Sequence, residues 1–223
     1  MREALLAAAR VARQPERWAA AFAARADRYG REPSAPALAA AEAFRRAGAR
    51  DVLELGAGQG RDTLYFARSG FEVHALDVAA EGVTAIRARA AEEGLAGRVT
   101  AARHDCRDRL PLADRSVDAC FSHMLLCMAL STPQLEALST DVHRVLRPGG
   151  LHVYTARSTA DPDYGGGAAC GDDMYESGGF VVHFFSPELV ERLARGYELV
   201  DVTELEEGDL PRRLFRVTMR RGT

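Results

Sequence analysis

Lysine and asparagine are absent from this 223-residue chain, so all 29 of its cationic residues are arginine. That excludes a Schiff-base lysine, the lysine of a phosphate-binding P-loop and that of a protein kinase. It also leaves no acceptor for N-glycosylation. The four cysteines, Cys106, Cys120, Cys127 and Cys170, form no CxxC pair and no zinc-ligand spacing, so reduced thiols are expected and no metal site. A basic excess is lacking as well: the net charge is −3, which argues against a nucleic-acid partner. No apolar run approaches the roughly 20 residues that span a bilayer. The start, Met1-Arg2-Glu3-Ala4-Leu5-Leu6, lacks the apolar core of a secretory signal, so a cytoplasmic location is expected.

What is present is ordinary in bulk, at 47% hydrophobic and 27% charged residues, and fits one globular domain. Residues 1–50 read as an alanine-rich helical cap interrupted by a loop at Tyr29–Ser34. From Asp51 short apolar runs alternate with amphipathic helices. Strands are expected at Asp51–Gly56, Phe71–Asp77, Arg98–His104, Ser116–His123 and Leu151–Thr155. Helices are expected at Arg61–Ser69, Ala80–Glu93 and from Ser131, with a capping box closed by Gln134. Arg147-Pro148-Gly149-Gly150 should end that last helix. Asp161–Ser177, rich in Gly, Asp and Tyr, reads as a loop inserted over the sheet, within an insert spanning about 157–185. A helix at Pro187–Arg195 and strands at Tyr197–Thr203 and Leu214–Arg220 complete residues 51–223. The alternation implies an α/β fold, with a mostly parallel sheet covered by helices on both faces.

Glu54-Leu55-Gly56-Ala57-Gly58-Gln59-Gly60 joins the first strand to the first helix of this alternation. Its glycines allow a tight turn and close approach to a ligand, although such a loop alone is a weak signal. Two further strand ends strengthen it. Asp77 ends the second strand, where a carboxylate can accept both hydroxyls of a ribose. Asp105, followed by Cys106, ends the third. Each acid alone could be a solvated strand end or a helix cap. Three such ends on one sheet edge, where ligands of open α/β sheets bind, make that reading weak.

With Ser116–Phe121 and Leu146-Arg147-Pro148-Gly149-Gly150, these segments resemble the successive motifs of class I S-adenosylmethionine-dependent methyltransferases. The resemblance covers about Asp51 to Thr155. It implies a Rossmann-like, seven-stranded sheet whose last strand is antiparallel, and S-adenosylmethionine as cofactor. By the same resemblance Glu54 and the Gly56, Ala57, Gly58 and Gly60 backbone hold the methionine moiety, with Asp62 facing its amine. Asp77 holds the ribose, Val78 packs on the adenine, Asp105 and Cys106 bind its edge, and Ser122 completes the set. Arg61-Asp62 and His183-Phe184-Phe185-Ser186 resemble tellurite-resistance-type and related small-molecule methyltransferases. A nicotinamide dehydrogenase is the competing enzyme. It fits less well, because the glycines are spaced GxGxG and Glu54 would stand beside a pyrophosphate. A non-catalytic, cofactor-binding interaction module is the third reading.

The acceptor implied is a small molecule of natural-product, thiol or chalcogen type. Ser122-His123-Met124 after the fourth strand is not the (Asn/Asp)-Pro-Pro-Tyr of adenine and amide N-methyltransferases, and no cysteine follows a proline. A closed pocket beneath the cap and the insert would favour transfer by excluding water. His74, His143 and His152 lie within elements and read as structural, and His104 as orienting Asp105. His123 and His183 fall at the pocket edge and are the candidate bases. Trp18, Tyr29, Met124, Arg157, Tyr164 and Tyr175 are the candidate lining residues, with simple packing or, for Arg157, a surface ion pair as the plainer alternative.

Overall fold

The structure, a computed structural model, describes residues 2–208 and 212–223. Three helices come first: α1 (Arg2–Ala12), α2 (Gln14–Ala24) and α3 (Ala35–Arg46). The alternating part follows as β1 (Asp51–Leu55), α4 (Arg61–Arg68), β2 (Glu72–Asp77), α5 (Ala80–Glu92), β3 (Val99–Arg103), β4 (Val117–His123), α6 (Thr132–Val145) and β5 (Leu146–Arg157). An insert contains β6 (Ala168–Gly171), β7 (Met174–Ser177) and β8 (Phe180–His183). The chain then runs through α7 (Pro187–Leu193), β9 (Tyr197–Glu207) and β10 (Arg212–Arg221).

Seven strands form one sheet in the order β3-β2-β1-β4-β5-β10-β9. The first five are mutually parallel, and β10 runs antiparallel to both β5 and β9. The fold is therefore the Rossmann-like, seven-stranded one expected. Its central strands are covered on both faces, and successive residues serve opposite cores, as a two-residue period requires. Val52, Ala119 and Phe121 face Phe44 of α3 and Phe66 of α4. Leu53, Leu55 and Cys120 face Leu135, Leu138 and Val142 of α6 and Val190 of α7. Helix α3 thus belongs to one covering layer, whereas α1 and α2 reach the insert and α5. Ser34 caps α3 by accepting the Ala37 amide at 3.1 Å, and the Ser131–Gln134 capping box opens α6.

The structure departs from the sequence reading in three places. β5 begins at Leu146, because Leu146 already pairs with Val117 and the Pro-Gly-Gly segment continues as an irregular extension of the strand. β9 and β10 are longer than expected, pairing from Tyr197↔Arg221 to Glu207↔Arg212; charged residues on an edge strand hide the end of the pattern. The segment read as a structureless loop contributes two strands of a three-stranded antiparallel sheet. Asp172-Asp173 and Gly178-Gly179, all at positive φ, form its two-residue turns, the left-handed geometry that suits tight hairpins.

Candidate active site

The loop after β1 is anchored on the end of β2. The Gly56 amide donates to Leu76 O at 2.8 Å, and the Gly58 amide donates to Asp77 Oδ2 at 2.8 Å. Gly60 adopts φ +88°, and a Cβ there would lie 2.7 Å from Ile86 Cγ1. Gly82 of α5 packs on the same loop: a Cβ there would lie 2.3 Å from Gly58 O. The sequence reading did not single out Gly82.

A cavity of about 710 Å³ opens at this edge of the sheet. Its floor includes Glu54, Gly56, Ala57, Gly58, Asp62, Asp77, Val78, Asp105 and Cys106, so nine of the residues assigned to the cofactor meet in one space. Gly60 lies behind the loop against α5. Ser122 is fully buried within β4, its Oγ without a hydrogen-bond partner among the described residues. Neither is among the residues lining the cavity.

Three of the acids are buried close together. Glu54 accepts the Thr63 hydroxyl at 2.5 Å. Burial, then the charge of Asp62, pushes its carboxyl well above the usual range, with the Thr63 hydrogen bond opposing. Asp77 is pushed up to about 6 by burial, although the amides of Ala79 and Gly58 favour its charged form. Asp62 accepts from the Ser34 amide at 2.7 Å and the Ser34 hydroxyl at 2.9 Å, so it also ties α3 to α4. Asp105 is gripped by Arg107, which holds its carboxyl below the usual range. Burial, with Asp105 beside it, pushes the Cys106 thiol up to about 12.

Opposite these acids stands an aromatic wall. Trp18 lies 4.4 Å from Phe180, 5.6 Å from Phe22 and 6.5 Å from Tyr29 between ring centroids, and all four line the cavity. Gln59 closes the seam between loop and cap: it accepts the Arg28 amide at 2.8 Å and donates to Arg25 O at 2.9 Å.

His123, Met124 and Arg157 also line the cavity. The ion pair of Arg157 proves to be buried rather than on the surface, with Asp161 as its bidentate partner and Asp163 at 2.7 Å. Tyr164, Tyr175 and His183 lie elsewhere. The two tyrosines cluster with Phe184 behind the insert, and Tyr164 donates to Asp173 at 2.8 Å. His183 is buried, with Nδ1 2.7 Å from Leu130 O, and borders a separate groove with Asp172 and Glu188. None of the three is among the residues that line the cavity, a separation that no linear pattern revealed. Phe22, Phe180, Gln14 and Glu207 are wall residues that sequence reasoning missed; only their positions in the folded chain mark them. Among the described residues, no group of three or more His, Cys, Asp or Glu side chains could hold a metal, and no helix is long and apolar enough to cross a membrane.

The chain's similarities agree with this geometry. Residues 52–150 match the family model described as a methyltransferase domain. The chain is 36% identical over 104 residues to a malonyl-[acyl-carrier protein] O-methyltransferase of Pectobacterium atrosepticum, an overlap of 46% of this chain and 37% of that protein. It therefore spans less than two fifths of the length of that relative. In fold it resembles the CcbJ methyltransferase of Streptomyces caelestis, with TM-score 0.70 and 20% identity over 87% of this chain and 92% of that one. It also resembles the 1,6-didemethyltoxoflavin-N1-methyltransferase of Burkholderia thailandensis, solved with its substrate and S-adenosylhomocysteine; there the TM-score is 0.65 at 22% identity over 85% and 79% of the two chains. The stretch from Val52 to Gly150 is a class I methyltransferase domain.

Proposed function

We propose that the protein transfers a methyl group from S-adenosylmethionine to a small molecule held in the cavity at the sheet edge. The observation that carries this reading is the enclosure of a 710 Å³ cavity between buried acids on one side and aromatic rings on the other. Glu54 and Asp77 are carboxyls whose ionisation burial opposes. A cationic ligand would offset that cost, which suits the ammonium and sulfonium of this cofactor. Glu54 and the Gly56–Gly58 backbone would hold its methionine part, Asp77 its ribose, and Val78, Asp105 and Cys106 its adenine. When bound, the cofactor supplies an electrophilic methyl group and departs as a neutral thioether.

The chain's own work is to orient the acceptor and exclude water, which supports much of the acceleration in such a displacement. Trp18, Phe22 and Phe180 give the acceptor an apolar or aromatic wall. All three lie outside residues 52–150, so the matched stretch does not supply this part of the wall. The names of the relatives support a small or carrier-borne acceptor. Titration calorimetry with S-adenosylmethionine and S-adenosylhomocysteine tests the reading. Micromolar or tighter binding of both supports it, and binding of a nicotinamide dinucleotide in their place would favour a dehydrogenase.

A further inference from the structure

Both ring nitrogens of His123 are engaged by the protein itself. Nδ1 lies 2.8 Å from Thr155 Oγ1, which also accepts the Met124 amide at 3.0 Å. Nε2 lies 3.3 Å from Glu207 Oε1. A carboxylate only accepts, so a hydrogen bond along this contact needs the hydrogen on Nε2, the tautomer that leaves Nδ1 to accept the Thr155 hydroxyl. In that tautomer, as in the protonated ring, no ring lone pair is left over for a ligand. Glu207 is placed differently. One carboxylate oxygen meets His123, leaving Oε2 free of that contact, and the side chain lines the same cavity. It is also the more open of the two, at 30% exposed against 11% for His123.

Two strands, β5 and β10, separate β4 from β9 in the sheet. Glu207 reaches back across that gap from the last position of β9. Burial opposes its ionisation, yet the hydrogen bond and charge of His123, with Arg61 and Arg212 further off, hold the carboxyl below its usual range. The acceptor end of the cavity thus presents a carboxylate with a fixed orientation.

We propose that Glu207, held in place by His123, takes the proton from the acceptor, and that the acceptor is a neutral hydroxyl compound, an alcohol or a phenol. This rests on the methyl-transfer reading above. In the step, a lone pair of the hydroxyl oxygen forms the bond to the methyl carbon. The methyl–sulfur bonding pair stays on sulfur, and the O–H proton passes to Glu207 Oε2. An oxygen that is gaining a methyl group becomes positively charged, and its proton is then far more acidic than a carboxylic acid. A carboxylate of low basicity therefore suffices. A thiolate or carboxylate acceptor has no proton to give, and an amine can keep its own until after transfer. Glu207 is the catalytic residue in this scheme and His123 a positioning residue, with Thr155 and the Met124 amide fixing the ring.

The test combines a panel of alcohols, phenols, amines, thiols and carboxylates with four variants, each first titrated with S-adenosylhomocysteine. Glu207→Gln should bind S-adenosylhomocysteine as the wild type does and lose about 10²–10⁴-fold in kcat toward a hydroxyl acceptor, with KM little changed. Glu207→Asp should restore part of that loss. His123→Gln, which keeps a donor, should retain more kcat than His123→Ala. Without ligands, the ¹⁵N shifts of the His123 ring should change in Glu207→Gln. Unchanged ring shifts, wild-type kcat in Glu207→Gln, a loss confined to KM, or a panel in which no hydroxyl compound is methylated would each overturn the inference. Failure of the wild type to bind S-adenosylhomocysteine would instead overturn the methyl-transfer reading beneath it.

Discussion

The Gln14 side chain and the Val181 backbone form a two-point clasp. Gln14 Nε2 donates to Val181 O at 2.9 Å, and the Val181 amide donates to Gln14 Oε1 at 2.7 Å. A helix residue thereby completes the hydrogen bonding of a strand 167 residues away. Arg10 and Arg17 both reach Glu176 nearby, at 2.6 and 2.9 Å. The first two helices and the insert are thus joined into one roof over the cavity.

Gln14→Ala should separate that roof. It leaves a buried amide and carbonyl without partners, a cost of about 1–3 kcal/mol for each unsatisfied group. Chemical denaturation should show a loss of that order, and amide exchange at residues 180–183 should accelerate. Unchanged exchange there would mean that the clasp is not what holds the insert.

Gly82→Ala should disturb the glycine-rich loop after β1 from behind. The added carbon would meet the carbonyl of Gly58 at 2.3 Å, and backbone cannot swing away as a flexible side chain can. Overpacking of this kind costs about 1–3 kcal/mol. Affinity for S-adenosylhomocysteine should fall together with stability. Gly149→Ala, with nothing within 4 Å of its added carbon, is the control: it should lose stability to backbone strain alone and leave affinity unchanged.

Most of the fold and the floor of the site were legible in the sequence, for physical reasons that also explain the rest. Strands β1, β2 and β4 are largely buried on both faces, so their apolar runs are dense, and they end at the Gly-rich turn after Leu55, at Asp77 and at His123. The residues that form the cavity floor are backbone turns and strand ends, which are local features. The aromatic wall is not local. Trp18 meets Phe180, and His123 meets Glu207, across distances that no period of two or 3.6 residues encodes. Tyr164, Tyr175 and His183 looked well placed beside the pocket, but in the fold the two tyrosines pack with Phe184 and His183 is buried against Leu130 O. The strands of the insert are four residues long, too short for alternation to show. Its Gly178-Gly179 turn was the available signal.

Burial of two acids beside the glycine-rich loop should couple ligand affinity to pH. The Asp77 carboxyl is pushed from its ordinary 3.8 to about 6. The folded, ligand-free protein therefore holds this proton more tightly than the unfolded chain does. Its contribution to stability is greatest below pH 4 and is lost as pH rises from about 4 through about 6. Ligand hydroxyls favour the ionised carboxylate, so affinity should run the other way and weaken as pH falls through about 6. Calorimetric titrations of S-adenosylhomocysteine from pH 5 to 8 check this, and a flat profile would contradict it.

Glu54→Gln extends the same argument. Removing a charge that burial disfavours should raise Tm without ligand at neutral pH, while the Thr63 hydroxyl keeps an acceptor. The variant should bind S-adenosylmethionine and S-adenosylhomocysteine more weakly, because their positive charge loses its partner. A lower Tm would show that the ionised carboxylate stabilises the loop by itself.

The most direct measurement is a calorimetric comparison of wild type and Asp77→Ala against S-adenosylhomocysteine at pH 7.5. The wild type should bind, and the variant should lose about 1.5–3 kcal/mol for each charge-assisted hydrogen bond to the ribose hydroxyls, a factor of ten or more in Kd. Wild-type protein that binds neither S-adenosylhomocysteine nor S-adenosylmethionine, or an Asp77→Ala variant that is folded and binds equally well, would contradict the account.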